Sequence, residues 1–202
     1  MAGAMVLAGC GTQQAAQTTA SSSQASSASS EATAETSEAS VYDQDMEAYA
    51  DIIGGLEAGQ AYAFADMDEN HDALLVAADV YDDLDGNKVA IAATIYGFDK
   101  DGNIMEYGTV ESTDTGYPLS VVDGCLIFGG NHHIGMEFID EENGSIITKE
   151  DASETFDKDG NATYYYFSLE EEFEGEVEDN SHMSDLNGKY ADATPIVFTV
   201  VE

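Results

Sequence analysis

Along residues 42–56 the apolar positions Tyr42, Met46, Tyr49, Ile53 and Leu56 recur at spacings of four and three. Side chains so spaced share one face of an α-helix, so the stripe predicts an amphipathic helix. Ser40 is placed to cap it, and Asp43 and Asp45 fall in the first turn, where the helix dipole favours negative charge. Gly59 is the expected stop, and the pair Gly54-Gly55 is read as close packing against a sheet.

After Gln60 the period changes to two. Tyr62 and Phe64 alternate with Ala, and Leu74, Val76, Ala78 and Val80 form one face of a strand, as do Val89, Ile91, Ala93 and Ile95. Shorter alternations follow at Ile104, Leu119/Val121, Leu126/Phe128, Ile134/Met136/Phe138, Ile146, Tyr165/Phe167 and Ile196/Phe198/Val200. Turn chemistry separates them: Asp85-Gly86-Asn87, Asp101-Gly102-Asn103, Gly129-Gly130-Asn131, Asn143-Gly144 and Asp159-Gly160-Asn161. Such sequences tolerate positive φ and signal hairpins. The expected fold is mainly β in an α+β sense: one N-terminal amphipathic helix, then an antiparallel β-meander making a curved or barrel-like sheet.

Composition changes the picture upstream of that body. Residues 13–40 contain only Gln, Ala, Thr, Ser and Glu, which leaves nothing to offset the entropy of ordering. We therefore expect three parts: a truncated signal segment at 1–10, a disordered linker at 11–41 and a single β-rich domain at 42–202. The linker has a random-coil reach on the order of 30 Å.

Residues 1–10 are a short apolar stretch ending in Leu7-Ala8-Gly9-Cys10 before the Ser/Gln-rich tract. This resembles the lipobox of bacterial lipoproteins, over about ten residues. The resemblance implies that Cys10 is the lipid-attachment residue and the mature N-terminus, and that the protein sits on the extracytoplasmic side of the cell membrane. A secretory signal needs a positive n-region, and no Lys or Arg precedes Cys10; a basic segment is expected upstream of Met1. Each acyl CH₂ contributes about 0.8 kcal/mol, so two or three long chains would hold the protein durably.

Charge narrows the function classes. There are 41 Asp+Glu against five lysines and no arginine, a net charge of −36. No basic footprint for nucleic acid can be assembled, and no guanidinium fork is present for phosphate or carboxylate substrates.

Asp66, Asp68, Asn70 and Asp72 place oxygen ligands at alternate positions and resemble acidic calcium loops, although His71 stands where a sharp turn wants Gly and Ala77 where a bidentate Glu would close the site. The pentad Asp-Lys-Asp-Gly-Asn at 99–103 and 157–161 reads as plain turns. The run from Glu170 to Asp179, with seven carboxylates, reads as a solvated loop. Asp114-Thr115-Gly116 shares the core triplet of aspartic proteases in the wrong context and reads as a turn.

Cys125 is expected to be a small buried residue, too far from His132 for a thiol–imidazole pair. His132 and His133 project to opposite faces; His133 and Glu137 share one, as two ligands only. Tyr164, Tyr165 and Tyr166 put aromatics on both faces of a strand, a candidate binding surface.

The expected function is a lipid-anchored extracytoplasmic protein with a non-enzymatic binding role, its partners being the membrane through the anchor and an unidentified extracellular ligand or protein, not nucleic acid. Two other readings are a carboxylate-based hydrolase of cell-wall or dietary glycan and a calcium-stabilised adhesive module. No cofactor other than calcium is expected.

Overall fold

The structure, a computed structural model, describes residues 46–67 and 71–202. The expected lipid-attachment residue Cys10, the linker and the start of the first helix lie outside these residues.

Described residues form a mainly β, antiparallel body with two open sheets. The five-stranded sheet runs in the order β14-β1-β2-β5-β6, from Thr199–Val200, Ala61–Asp66, Asp72–Ala77, Ala92–Phe98 and Ile104–Glu111. The seven-stranded sheet runs in the order β12-β11-β10-β9-β8-β7-β13. Its strands are Phe173–Val177, Ala162–Ser168, Ser145–Phe156, His133–Asp140, Cys125–Gly130, Ser120–Val122 and Thr194–Pro195. A two-stranded ribbon pairs β3 (Tyr81–Asp82) with β4 (Lys88–Val89).

The sheets do not close into a barrel, which corrects that expectation. The expected strand at 196–200 is divided. Thr194–Pro195 joins the edge of one sheet and Thr199–Val200 the edge of the other, while buried Ile196 and Phe198 donate to Leu119 O and Lys88 O between them.

Core placement explains why several strands are buried on both faces. Between the sheets, Ala61, Ala63, Ala65, Leu75 and Ile95 meet Leu126, Phe128 and Ile139. On β1 it is the alanine row that faces this core, which leaves room for the large residues opposite. Tyr62 and Phe64 instead point to the other face, toward the helix α1 (Ala50–Gly54) and its preceding turn. There Tyr49 is fully buried against Phe64 and Phe98 at ring separations of 5.9 and 5.4 Å, and its hydroxyl donates to Asp72 O.

Of the expected helix, the described residues include the helical segment Ala50–Gly54. It ends at Gly54, not Gly59, and a Cβ at Gly54 would meet nothing, so the glycine pair is not a close-packing device. Gly59, at φ +97°, donates to Val201 O where the chain turns into β1 beside β14.

A second helix, α2 (Ser181–Asp192), was not expected from the sequence. Its Met183 and Leu186 cover the outer face of the seven-stranded sheet over Cys125, Ile127, Ile134, Met136, Ala152 and Tyr166. Tyr190 donates to Pro118 O at 2.7 Å and Lys189 pairs with Glu150 at 2.7 Å, fixing the helix over β7 and β10. With this cover in place, Tyr166 is buried and stacked on His182 at 3.8 Å. The three tyrosines do not form one exposed face.

The acidic run beginning at Glu170 is likewise not a loop throughout, because Phe173–Val177 pairs with β11.

Candidate functional site

In an antiparallel meander, alternate turns gather at the same end. The β7–β8, β9–β10 and β11–β12 turns therefore meet at one end of the seven-stranded sheet, joined by the end of β1. Met67 O accepts from Ile139 N at 3.2 Å and ties the two sheets there.

Between these segments lies a cleft of about 690 Å³. Met67, Cys125, Phe138, Ile139 and Leu169 give it apolar walls, and Asp66, Asp123, Asp140, Glu141, Glu142 and Glu170 surround them with Lys149 as the sole base. A second hollow of about 650 Å³ shares Asp66, Asp123 and Gly124 with it and continues past Val122, Pro195 and Val197. The volume is in the usual range for small-molecule sites.

Local chemistry builds each wall. Asp123 and Gly124 both take positive φ, at 50° and 66°, in the tight turn that projects the Asp123 carboxylate beside the cleft. Lys149 is the extra residue at a β-bulge, where the register shifts between Thr148 and Glu150; bulges re-aim side chains in this way. Burial pushes the Cys125 thiol above its ordinary pKa, with Lys149 partly offsetting the effect, so this cysteine is a poor nucleophile at neutral pH.

Several carboxylates in turns are already engaged, Asp140 of the cleft among them, which accepts from Asn143 N at 3.1 Å and from the Asn143 amide at 2.7 Å. The sequence Asp-x-Asp-Gly-Asn closes three hairpins, at 83–87, 99–103 and 157–161. In each, the first Asp accepts from the backbone N–H two and four residues on, at 2.8–2.9 Å. The Asn side chain also donates to that Asp. Hydrogen bonds from Asn87, Asn103 and Asn161 hold Asp83, Asp99 and Asp157 below the usual carboxylate range. These are turns, as expected. Asp114-Thr115-Gly116 is one too: Asp114 accepts from Gly116 N at 2.8 Å and from the Asn131 amide at 3.2 Å.

Of the four expected calcium ligands, Asp66 and Asp72 face each other as the last pair of the β1–β2 ladder, while Asp68 and Asn70 lie outside the described residues. Asp66 lines the cleft. Among the described residues no group of three or more His, Cys, Asp and Glu is arranged to hold a metal.

The β8–β9 turn falls at Asn131-His132, with Gly130 opposite His133, one residue beyond a turn at Gly130-Asn131. It leaves Cys125 at the end of the hairpin away from His132. His132 bonds Glu154 at 2.9 Å on one face, and His133 bonds Asp151 at 2.6 Å on the other. Asp151 lies opposite Gly135, between His133 and Glu137, so it adds a third titratable group to the pair that shares a face. Sequence spacing could not reveal Asp151, because its place depends on the register across the bulge.

The chain matches no protein-family model, no curated protein and no solved structure.

Proposed function

We propose that this chain is a lipid-anchored extracytoplasmic binding protein, non-enzymatic, that captures a small organic cation in the cleft at the β9–β10 end of the seven-stranded sheet. The observation that carries the reading is the cleft itself: apolar walls able to hold a hydrocarbon body, bordered by six carboxylates and one lysine. A carboxylate ring in a recess of low dielectric attracts a cation more strongly than the same charges spread over open surface. The net charge of −36 steers cations toward the molecule and repels anionic ligands. Anchoring rests on Leu7-Ala8-Gly9-Cys10 and the polar tract that follows, which would hold the binding domain clear of the bilayer.

Two measurements test the two halves. Mass spectrometry of the mature protein from membranes is expected to show a diacylglycerol thioether at Cys10; an unmodified sulfhydryl there removes the anchor. For the cleft, 2-phenylethylammonium and its neutral analogue 2-phenylethanol are titrated into the isotopically labelled chain. The cation is expected to shift the amides of Met67, Gly124, Phe138 and Leu169 in a saturable way, and the alcohol far less. Equal response to both, or shifts confined to other surfaces, overturns the capture role.

A further inference from the structure

His133, Asp151 and Glu137 form a cluster on the face of the seven-stranded sheet opposite α2. Its geometry is made by a glycine. At position 135, between His133 and Glu137, a Cβ would lie 3.0 Å from Asp151 Oδ2 and 3.2 Å from Phe128 Cζ, so a side chain there would press Asp151 away from its place between its two neighbours. His133 Nε2 meets that same Asp151 oxygen at 2.6 Å, closing a bond from β9 to β10.

The cluster adjoins the cleft by a single register step. Glu137 is followed at once by the wall residues Phe138 and Ile139. Opposite Glu137 stands Thr148, and the next residue is the bulged Lys149 that also lines the cleft.

We infer that this cluster is a proton-operated brace for the β9–β10 wall of the cleft, holding the wall while His133 is protonated and loosening it when that proton leaves. The consequence for ligand capture rests on the cleft being the binding site; the brace itself does not.

The charge arithmetic is simple. With imidazolium present, one positive charge is set against the two carboxylates. Without it, Asp151 and Glu137 are left side by side with no compensating charge from the cluster. The Asp151 hydrogen bond holds His133 above its ordinary pKa, and burial raises Glu137. The nearby groups do not replace the imidazolium. On β11, Phe167 stands opposite Asp151, and Tyr165, opposite Ser153, donates its hydroxyl to Glu174 of β12. Toward the β8–β9 turn, Asp114 is held by Gly116 N and the Asn131 amide. Phe128 contributes only its ring.

The test follows backbone amides of Phe138, Ile139, Glu141 and Lys149 together with the His133 ring signals across pH 5.5–8.5, in the full chain without ligand. The wall amides are expected to titrate with the midpoint of His133, above the free-imidazole value, and to become flat across this interval in His133→Asn and in Asp151→Asn. His132→Asn, on the opposite face, should leave the curve unchanged. Wall amides that stay still while His133 titrates overturn the brace, as does a curve that survives in whichever of His133→Asn and Asp151→Asn folds.

A second arm repeats the 2-phenylethylammonium titration at pH 6 and pH 8. A severalfold loss at pH 8, absent in His133→Asn, is expected. Failure of the cation to bind at either pH contradicts the capture role and leaves the amide titration to decide the brace.

Discussion

The two ends of the seven-stranded sheet differ in how many of their acidic residues the backbone has engaged. At the β10–β11 turn, Asp157 accepts two backbone N–H groups and an Asn amide, so its charge is absorbed in holding the chain's shape. At the other end, Asp140 of the β9–β10 turn is engaged in the same way by Asn143, but Asp66, Asp123 and Glu170 border the cleft with carboxylates that accept no hydrogen bond among the described residues. The same residue type is structural where a turn supplies donors and available for binding where it does not. Acidity alone therefore locates nothing; what matters is which carboxylates the backbone has already engaged.

Leu186→Ala should have the largest effect on stability, because it opens a cavity beneath α2 on the support shared by both ends. A loss of roughly 2–5 kcal/mol is expected from denaturant midpoints, and a loss under half a kcal/mol would show that the helix is not part of the core.

Gly129→Ala comes next. Its Cβ would stand 2.6 Å from His133 O, so the β8–β9 hairpin must shift; a cost of about 1–3 kcal/mol is expected in the same measurement.

Asp157→Ala removes an engaged carboxylate and should lower Tm, whereas Asp123→Asn should leave Tm unchanged or raise it by relieving repulsion. Equal destabilisation by both would erase the contrast between the ends.

pH gives a further separation. Asp83, Asp99 and Asp157 have lowered pKa values, so their contribution is present above the ordinary carboxyl pKa and is lost as pH falls through their folded values, in the strongly acidic range. His133 and Glu137 have raised values, so protonation favours the fold and their contribution is lost as pH climbs through the folded pKa values. Relief of the net negative charge acts in the same direction. Thermal melts should show maximal stability in mildly acidic buffer, with the fall toward pH 8 reduced in His133→Asn.

Local chemistry was legible in the sequence wherever it was local. The Asp-x-Asp-Gly-Asn turns, most strands and the buried Tyr49 stripe follow from short-range pattern. Helix α2 carries Met183, Leu186 and Tyr190 at helical spacing, yet Asn187, Gly188 and Lys189 between them dilute the stripe. Strand β12 was hidden because the glutamates around Phe173, Gly175 and Val177 read as a solvated run. The cleft could not be read at all, since residues 66, 123, 141 and 170 share no sequence neighbourhood and meet only because alternate turns of a meander converge.

The sharpest single measurement compares calorimetric affinity for 2-phenylethylammonium after removing three charges from either end. Asp66→Asn, Asp123→Asn and Glu170→Gln together should weaken binding by about tenfold or more, around 1.4 kcal/mol. Asp159→Asn, Glu176→Gln and Glu178→Gln, an equal charge change toward the other end of the seven-stranded sheet, should stay within about twofold, as expected for charges outside the cleft and screened by salt. Equal losses in the two triple variants would mean that overall charge, and not the cleft, attracts the cation, and would contradict the account.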